Sequence, residues 1–197
     1  MKEELQRWKK EAFSIPNCLS YLRLILIPIF CVLYARGEYL ATAILVVLSG
    51  ITDALDGYIA RHCNMITELG KIVDPVADKL TQLALALCLV SRYRWLLWVF
   101  ALLVIKEGFM AAMGLLVLKR KYEIHGAIWC GKVSTMTFYC VMLALLFFPY
   151  MPENLARLLG LLCVIMLCVS FAGYAVFYSK MIREHEHKGD LSHGSEN

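Results

Sequence analysis

Six apolar stretches recur along the chain, at 20–35, 39–60, 72–90, 95–118, 127–150 and 155–178, separated by short polar segments. A helix rises about 1.5 Å per residue, so roughly 20 apolar residues cross the ~30 Å hydrocarbon core of a bilayer. Only helices and closed barrels satisfy their backbone there, and these runs lack the period-2 alternation of barrel strands. The pattern predicts an all-α polytopic integral membrane protein with six transmembrane helices. Upstream, Leu5, Trp8, Ala12 and Phe13 interleave with Arg7, Lys9 and Lys10, which predicts a short N-terminal amphipathic helix lying on the membrane surface. The chain divides accordingly into an N-terminal amphipathic juxtamembrane segment (1–14), a six-helix transmembrane domain (15–182) and a flexible cytoplasmic tail (183–197) holding Glu184, His185, Glu186 and His187.

Composition agrees with a bilayer environment. Of the 197 residues 60% are hydrophobic and 18% charged, with mean hydropathy +0.62. That excludes a disordered chain and a nucleic-acid-binding arm. The eight cysteines are scattered through apolar runs with no C-x-x-C, so they read as small apolar fillers rather than ligands or bridges. The charged start, 1–11, lacks the apolar core of a cleavable signal peptide. Most of the 20 Lys and Arg fall in the N-terminal segment and the 61–71, 119–132 and 180–188 regions, leaving only Arg36, Arg92, Arg94 and Arg157 for the opposite loops. The positive-inside bias puts both termini in the cytoplasm.

Ionisable groups at membrane depth cost about 2.5–3.5 kcal/mol each even on lenient insertion scales, and they gather here in one place. Asp53 and Asp56 are three apart near the inner end of the second span, and Asp74 and Asp78 are four apart near the start of the third. Each pair projects from one side of its helix, at similar depth. Four carboxylates would repel one another unless cations lay among them, and oxygen-only ligands suit Mg²⁺ or Mn²⁺. Gly57 and Ala60 leave room for a substrate, Gly70 permits close packing at the turn, and Arg61 is placed to hold a phosphate. On charge alone, a cation or proton transporter also fits buried acids, although these cluster near one surface instead of spanning the membrane.

The string Asp53-Ala-Leu-Asp56-Gly57-Tyr-Ile-Ala60-Arg61, eight residues, Gly70, three residues, Asp74, three residues, Asp78 resembles the signature of the CDP-alcohol phosphotransferases at every fixed position. The resemblance implies a six-span enzyme that transfers a phosphatidyl group from CDP-diacylglycerol to an alcohol and releases CMP. It implies that Asp53, Asp56, Asp74 and Asp78 ligate one or two divalent metals, with Asp78 also the general base for the acceptor hydroxyl. Asp53, Gly57, Ala60, Arg61 and Gly70 would receive CDP-diacylglycerol. A homodimer in the cell membrane, its active site facing the cytoplasm, is implied as well.

Two further segments bear on the acceptor. Ile15-Pro16-Asn17-x2-Ser20-x2-Arg23-x4-Pro28 and Gly131-Lys132-Val133-Ser134-Thr135 are similar to segments of bacterial phosphatidylglycerophosphate synthases and of the cardiolipin synthases in the same superfamily. Asn17, Arg23, Lys71, Lys106 and Lys132 are the candidate acceptor-binding residues. Lys106 and Glu107 interrupt the fourth span; as sequence neighbours they are expected to point in different directions, at least one into the polar site. Phosphatidylglycerophosphate synthases commonly carry Arg-Glu and a second Arg eight residues on, where this chain has Lys106, Glu107 and Gly114. Glycerol 3-phosphate is the first acceptor expected. Phosphatidylglycerol, which would make the protein a cardiolipin synthase, is the alternative.

Overall fold

The computed structural model describes residues 15–62, 70–119 and 129–193, and these are all-helical apart from short turns. The helices are α1 (Ile15–Ala35), α2 (Tyr39–His62), α3 (Gly70–Val90), α4 (Leu96–Lys119), α5 (Trp129–Phe147) and α6 (Glu153–His193). The segment expected to form the amphipathic surface helix, 1–14, lies outside the described residues. Beyond the 182 boundary read from the sequence, α6 continues unbroken to His193.

Among the described residues, four helices are long and apolar enough to cross a membrane: Asn17–Ala35, Leu96–Leu116, Trp129–Phe147 and Glu153–Met181. This makes the chain a multi-pass membrane protein, with fewer spans established by length and composition than the six expected. The shortfall has a physical cause. The apolar stretch of α2 is the shorter Tyr39–Leu55, because the helix then turns acidic, and α3 carries Lys71, Asp74, Asp78 and Lys79 in its first turns. The residues that suggested chemistry are the ones that dilute the hydropathy.

The polarity of the bundle is arranged for lipid. Leu40, Ile44, Leu48, Ile51 and Leu55 form an exposed stripe along α2, and Leu155, Leu158, Leu162, Ile165 and Val169 do the same on α6. Such continuous apolar surface is what hydrocarbon contacts. Inside, Phe30, Leu85, Leu89, Leu96, Leu103, Phe138, Met142, Leu145 and Leu167 form the core. With them is buried a polar set that includes Asn17, Ser20, Arg23, Ser49, Thr81, Gln82 and Lys106. α3 is central, packing against α1, α4 and α5, while α2 packs on α1 and α5, and α6 on α4 and α5.

The α1–α2 turn is fixed by Gly37 at φ 81°, a conformation L side chains rarely adopt. Its N–H bonds to Tyr34 O at 2.9 Å while Glu38 N–H bonds to Leu33 O at 3.0 Å, the pair of bonds that closes a Schellman C-cap. That sharp reversal brings α2 back along α1 and sets Asp53 opposite Arg23. Cys31 Sγ and Cys88 Sγ lie 3.5 Å apart between α1 and α3, and among the described residues Cys163 is buried.

Candidate functional site

Three helices bring the acids together. On α1, Asn17, Ser20 and Arg23 recur at three-residue steps along one buried face. Arg23, only 2% exposed, extends Nη1 to Asp53 Oδ1 at 2.7 Å, and Ser20 Oγ donates to Asp74 Oδ1. So one face of α1 engages an acid of α2 and an acid of α3. Asp74 and Asp78 also act electrostatically on Asp53, whose side chain is 49% exposed. Asp78 is held differently: it accepts hydrogen bonds from Tyr139 Oη at 3.0 Å on its Oδ1 and from Gln82 Nε2 at 3.4 Å on its Oδ2.

These groups border a cavity of about 690 Å³, a size typical of ligand pockets. Arg23, Ser49, Asp53, Asp78, Lys79, Thr81, Lys106, Lys132, Thr135, Tyr139 and Tyr174 contribute to its lining, so carboxylates and cations share one space. Lys106, also 2% exposed, reaches Glu107 Oε1 at 2.7 Å, and Glu107 Oε2 reaches Lys79 Nζ at 3.1 Å. This corrects the expectation that Lys106 and Glu107 point apart. A flexible lysine stem curls back to its neighbour because an unpaired buried ammonium is costly. Lys132 is exposed at the start of α5, 5.7 Å from the centre of the Trp129 ring.

Of the predicted site residues, Asp53, Asp78, Arg23, Lys106 and Lys132 therefore line one cavity, with Asp74 and Asn17 on adjoining faces. Gly70 is buried at the start of α3. Gly57, Ala60 and Arg61 continue α2, and Lys71 lies on α3; the side chains of Asp56, Arg61 and Lys71 lie outside the described set. Among the described residues no three His, Cys, Asp or Glu side chains form a ready-made metal group, and the described acids supply only part of the expected four. The donor chemistry nevertheless fits a hard divalent cation, since Asp53, Asp74 and Asp78 offer oxygen alone.

Sequence reasoning missed Tyr139, Gln82 and Tyr174. A signal existed for the first: Lys132, Thr135 and Tyr139 stand at i, i+3 and i+7, one polar face in an otherwise apolar helix.

The sequence model of a family described as CDP-alcohol phosphatidyltransferase matches residues 13–175. A CDP-diacylglycerol–glycerol-3-phosphate 3-phosphatidyltransferase of Aquifex aeolicus is 31% identical over 175 residues, covering 86% of this chain and 98% of that one. The enzyme of the same name from Bacillus subtilis is 35% identical over 150 residues, 68% of this chain and 77% of the relative. A CMP-forming cardiolipin synthase of Streptomyces coelicolor is 35% identical over 128 residues, 62% of this chain and 60% of the relative.

Proposed function

Because the chain belongs to the CDP-alcohol phosphatidyltransferase family, we propose that it transfers a phosphatidyl group from CDP-diacylglycerol to glycerol 3-phosphate, forming phosphatidylglycerophosphate and CMP. The observation that carries the choice of reaction is the single cavity lined by Asp53 and Asp78 together with Lys79, Lys106 and Lys132. Two phosphate-bearing substrates need cationic partners, and an attacking hydroxyl needs a carboxylate base, in one space.

Asp53, Asp56, Asp74 and Asp78 would hold Mg²⁺ or Mn²⁺, which when bound neutralises the diphosphate and the developing charge on the CMP leaving group. The chain's own groups do the rest. Asp78 takes the proton of the acceptor hydroxyl, whose oxygen bonds to the phosphatidyl phosphorus as the bridging P–O bond to CMP breaks. Tyr139 fixes the orientation of the Asp78 carboxylate through its 3.0 Å hydrogen bond. Gly57 and Ala60 on α2 leave room beside the acids for the cytidine nucleotide, and Arg61 and Gly70 belong to the same donor subsite. Lys106 and Lys132 attract the acceptor phosphate, with Asn17, Arg23 and Lys71 contributing to that side.

In this reading all six helices lie in the bilayer, with the acids and both termini on the cytoplasmic side, in a homodimer. Burial of α3 between α1, α4 and α5 supports the six-span arrangement, and the loop distribution of Lys and Arg supports the orientation. Cysteine accessibility at position 92 against position 120 in sealed vesicles tests it.

A second acceptor has a specific observation behind it. Gly114 stands where the synthases for glycerol 3-phosphate commonly carry a second Arg, which favours phosphatidylglycerol and a cardiolipin product. Purified protein is given CDP-diacylglycerol and Mg²⁺ with each acceptor separately, and CMP is measured with and without chelator. Chelator-sensitive release with glycerol 3-phosphate alone is expected. Release only with phosphatidylglycerol transfers the assignment to cardiolipin synthesis, and ion flux without CMP release returns the transporter reading.

A further inference from the structure

At the end of the bundle opposite the aspartates, the α3–α4 and α5–α6 turns line a second, open cavity of about 610 Å³. It sits just beyond the apolar spans that start at Leu96, end at Phe147 and start at Glu153, the level at which lipid headgroups meet hydrocarbon. Its charged lining is Arg92, Arg94, Arg157 and Glu153. Glu153 is engaged by Arg157 through Nη2 at 2.7 Å and Nε at 3.1 Å, so the cavity keeps a surplus of guanidinium charge. All the cations of the opposite loops are arginine, the side chain whose planar fork matches phosphate oxygens.

One hydrogen bond links the two turns, and the charged side chains of the lining are exposed. Arg92 donates from Nη2 to Pro149 O at 2.5 Å, bridging the two turns, and lies 4.9 Å from the Tyr39 ring centre and 6.0 Å from that of Tyr150. Backbone bonds Tyr93 N–H to Leu89 O at 2.9 Å and Leu96 N–H to Tyr93 O at 2.8 Å close the first turn. Trp95, also lining the cavity, has a buried Nε1 with no hydrogen-bond partner among the described residues. Tyr150, 93% exposed beside it, suits the aromatic belt at a membrane interface.

Donors crowd this space, and its one carboxylate is already used. We propose that this cavity binds the phosphate headgroup of an anionic phospholipid in the leaflet opposite the active site. The acyl chains then run down the exposed apolar surface below it, and the arginines, which the topology rule disfavours on this side, are retained as ligands.

The test uses the full chain in detergent micelles, with native mass spectrometry counting retained phosphatidylserine, phosphatidylcholine or inorganic phosphate. Phosphatidylserine is chosen because it bears a phosphodiester and net charge. The parent should retain it in preference to phosphatidylcholine, and the Arg94→Gln/Arg157→Gln double variant should bind it about tenfold more weakly. CMP release should be unchanged in that variant, which shows that the fold survives. Phosphatidylserine should also raise the parent's apparent Tm but not the variant's. Equal retention by parent and variant overturns the proposal, as does equal retention of phosphatidylcholine. Displacement of the lipid by millimolar inorganic phosphate would reassign the cavity to a soluble anion. The lipid-retention and Tm readouts do not depend on which alcohol the active site uses, and CMP release is measured with whichever acceptor supports it.

Discussion

Tyr139 Oη donates to Asp78 Oδ1 at 3.0 Å and so ties α5 to α3 across the mouth of the cavity. If Asp78 is the base, this bond selects the carboxylate rotamer that meets the acceptor hydroxyl. Tyr139→Phe keeps the ring and removes only the donor. The expected outcome is a fall in kcat of about ten- to a hundredfold with KM for CDP-diacylglycerol nearly unchanged, because one hydrogen bond to a charged group is worth about 1.5–3 kcal/mol. Asp78→Asn, by contrast, should abolish CMP release while the protein stays folded. Steady-state CMP assays on both variants check this, and a Tyr139→Phe enzyme changed only in KM would deny Tyr139 any orienting role.

Arg23 and Asp53 form the second cross-helix pair, with the arginine buried and the acid half exposed. The exposed partner means solvent screens the pair, so its coupling is closer to 1 kcal/mol than to the 3–5 kcal/mol of a fully buried pair. Arg23→Gln and Asp53→Asn should each lower thermal stability. The double variant should lose less than the two losses added together, since each single change strands the other's charge. Apparent Tm values across the four proteins give the coupling; strict additivity would mean that the two side chains do not share an interaction.

Glu107 sits between two cations, 2.7 Å from Lys106 Nζ and 3.1 Å from Lys79 Nζ. That geometry predicts an asymmetry. Glu107→Gln leaves a buried ammonium uncompensated next to a second cation and should cost about 3 kcal/mol. Lys106→Met leaves Glu107 still paired with Lys79 and should cost less, while raising KM for a phosphate-bearing acceptor several-fold. Heat inactivation combined with KM for glycerol 3-phosphate separates the two effects, and equal stability losses in the two variants would refute the shared-carboxylate arrangement.

The site was legible where chemistry is written in local spacing. Asp53, Asp74 and Asp78 are set by helix periodicity, and the helix pair that carries them follows from hydropathy. The positions of Arg23 and Lys106 were legible too, since a charge inside an apolar run needs a partner. Which partner was not legible: Arg23 meets Asp53 and Tyr139 meets Asp78 only through packing of helices distant in sequence, and no periodicity within one helix encodes that. The span count was legible only in part for a related reason: the acids and lysines of α3 dilute its hydropathy, so among the described residues four helices rather than the expected six have the length and composition of a span.

Gly131, in the segment with Lys132, shows how closely α5 and α6 approach. A Cβ there would collide with the Tyr174 phenol oxygen and lie 2.9 Å from Cε2 and Cζ of the same ring. Tyr174 lines the same cavity as Lys132, so the ring can yield only by moving into the space the substrates need or by pushing the helices apart. Gly131→Ala should therefore lower stability by about 1–3 kcal/mol, the range for overpacking a filled interior, and raise KM for the acceptor. Tyr174→Ala removes the obstacle. In that background Gly131→Ala should be nearly neutral for stability, and the KM penalty from the displaced ring should vanish. Apparent Tm and KM measured over this four-member cycle decide the matter: if Gly131→Ala costs as much without the ring as with it, the glycine is needed for its backbone and not for the close approach of α6.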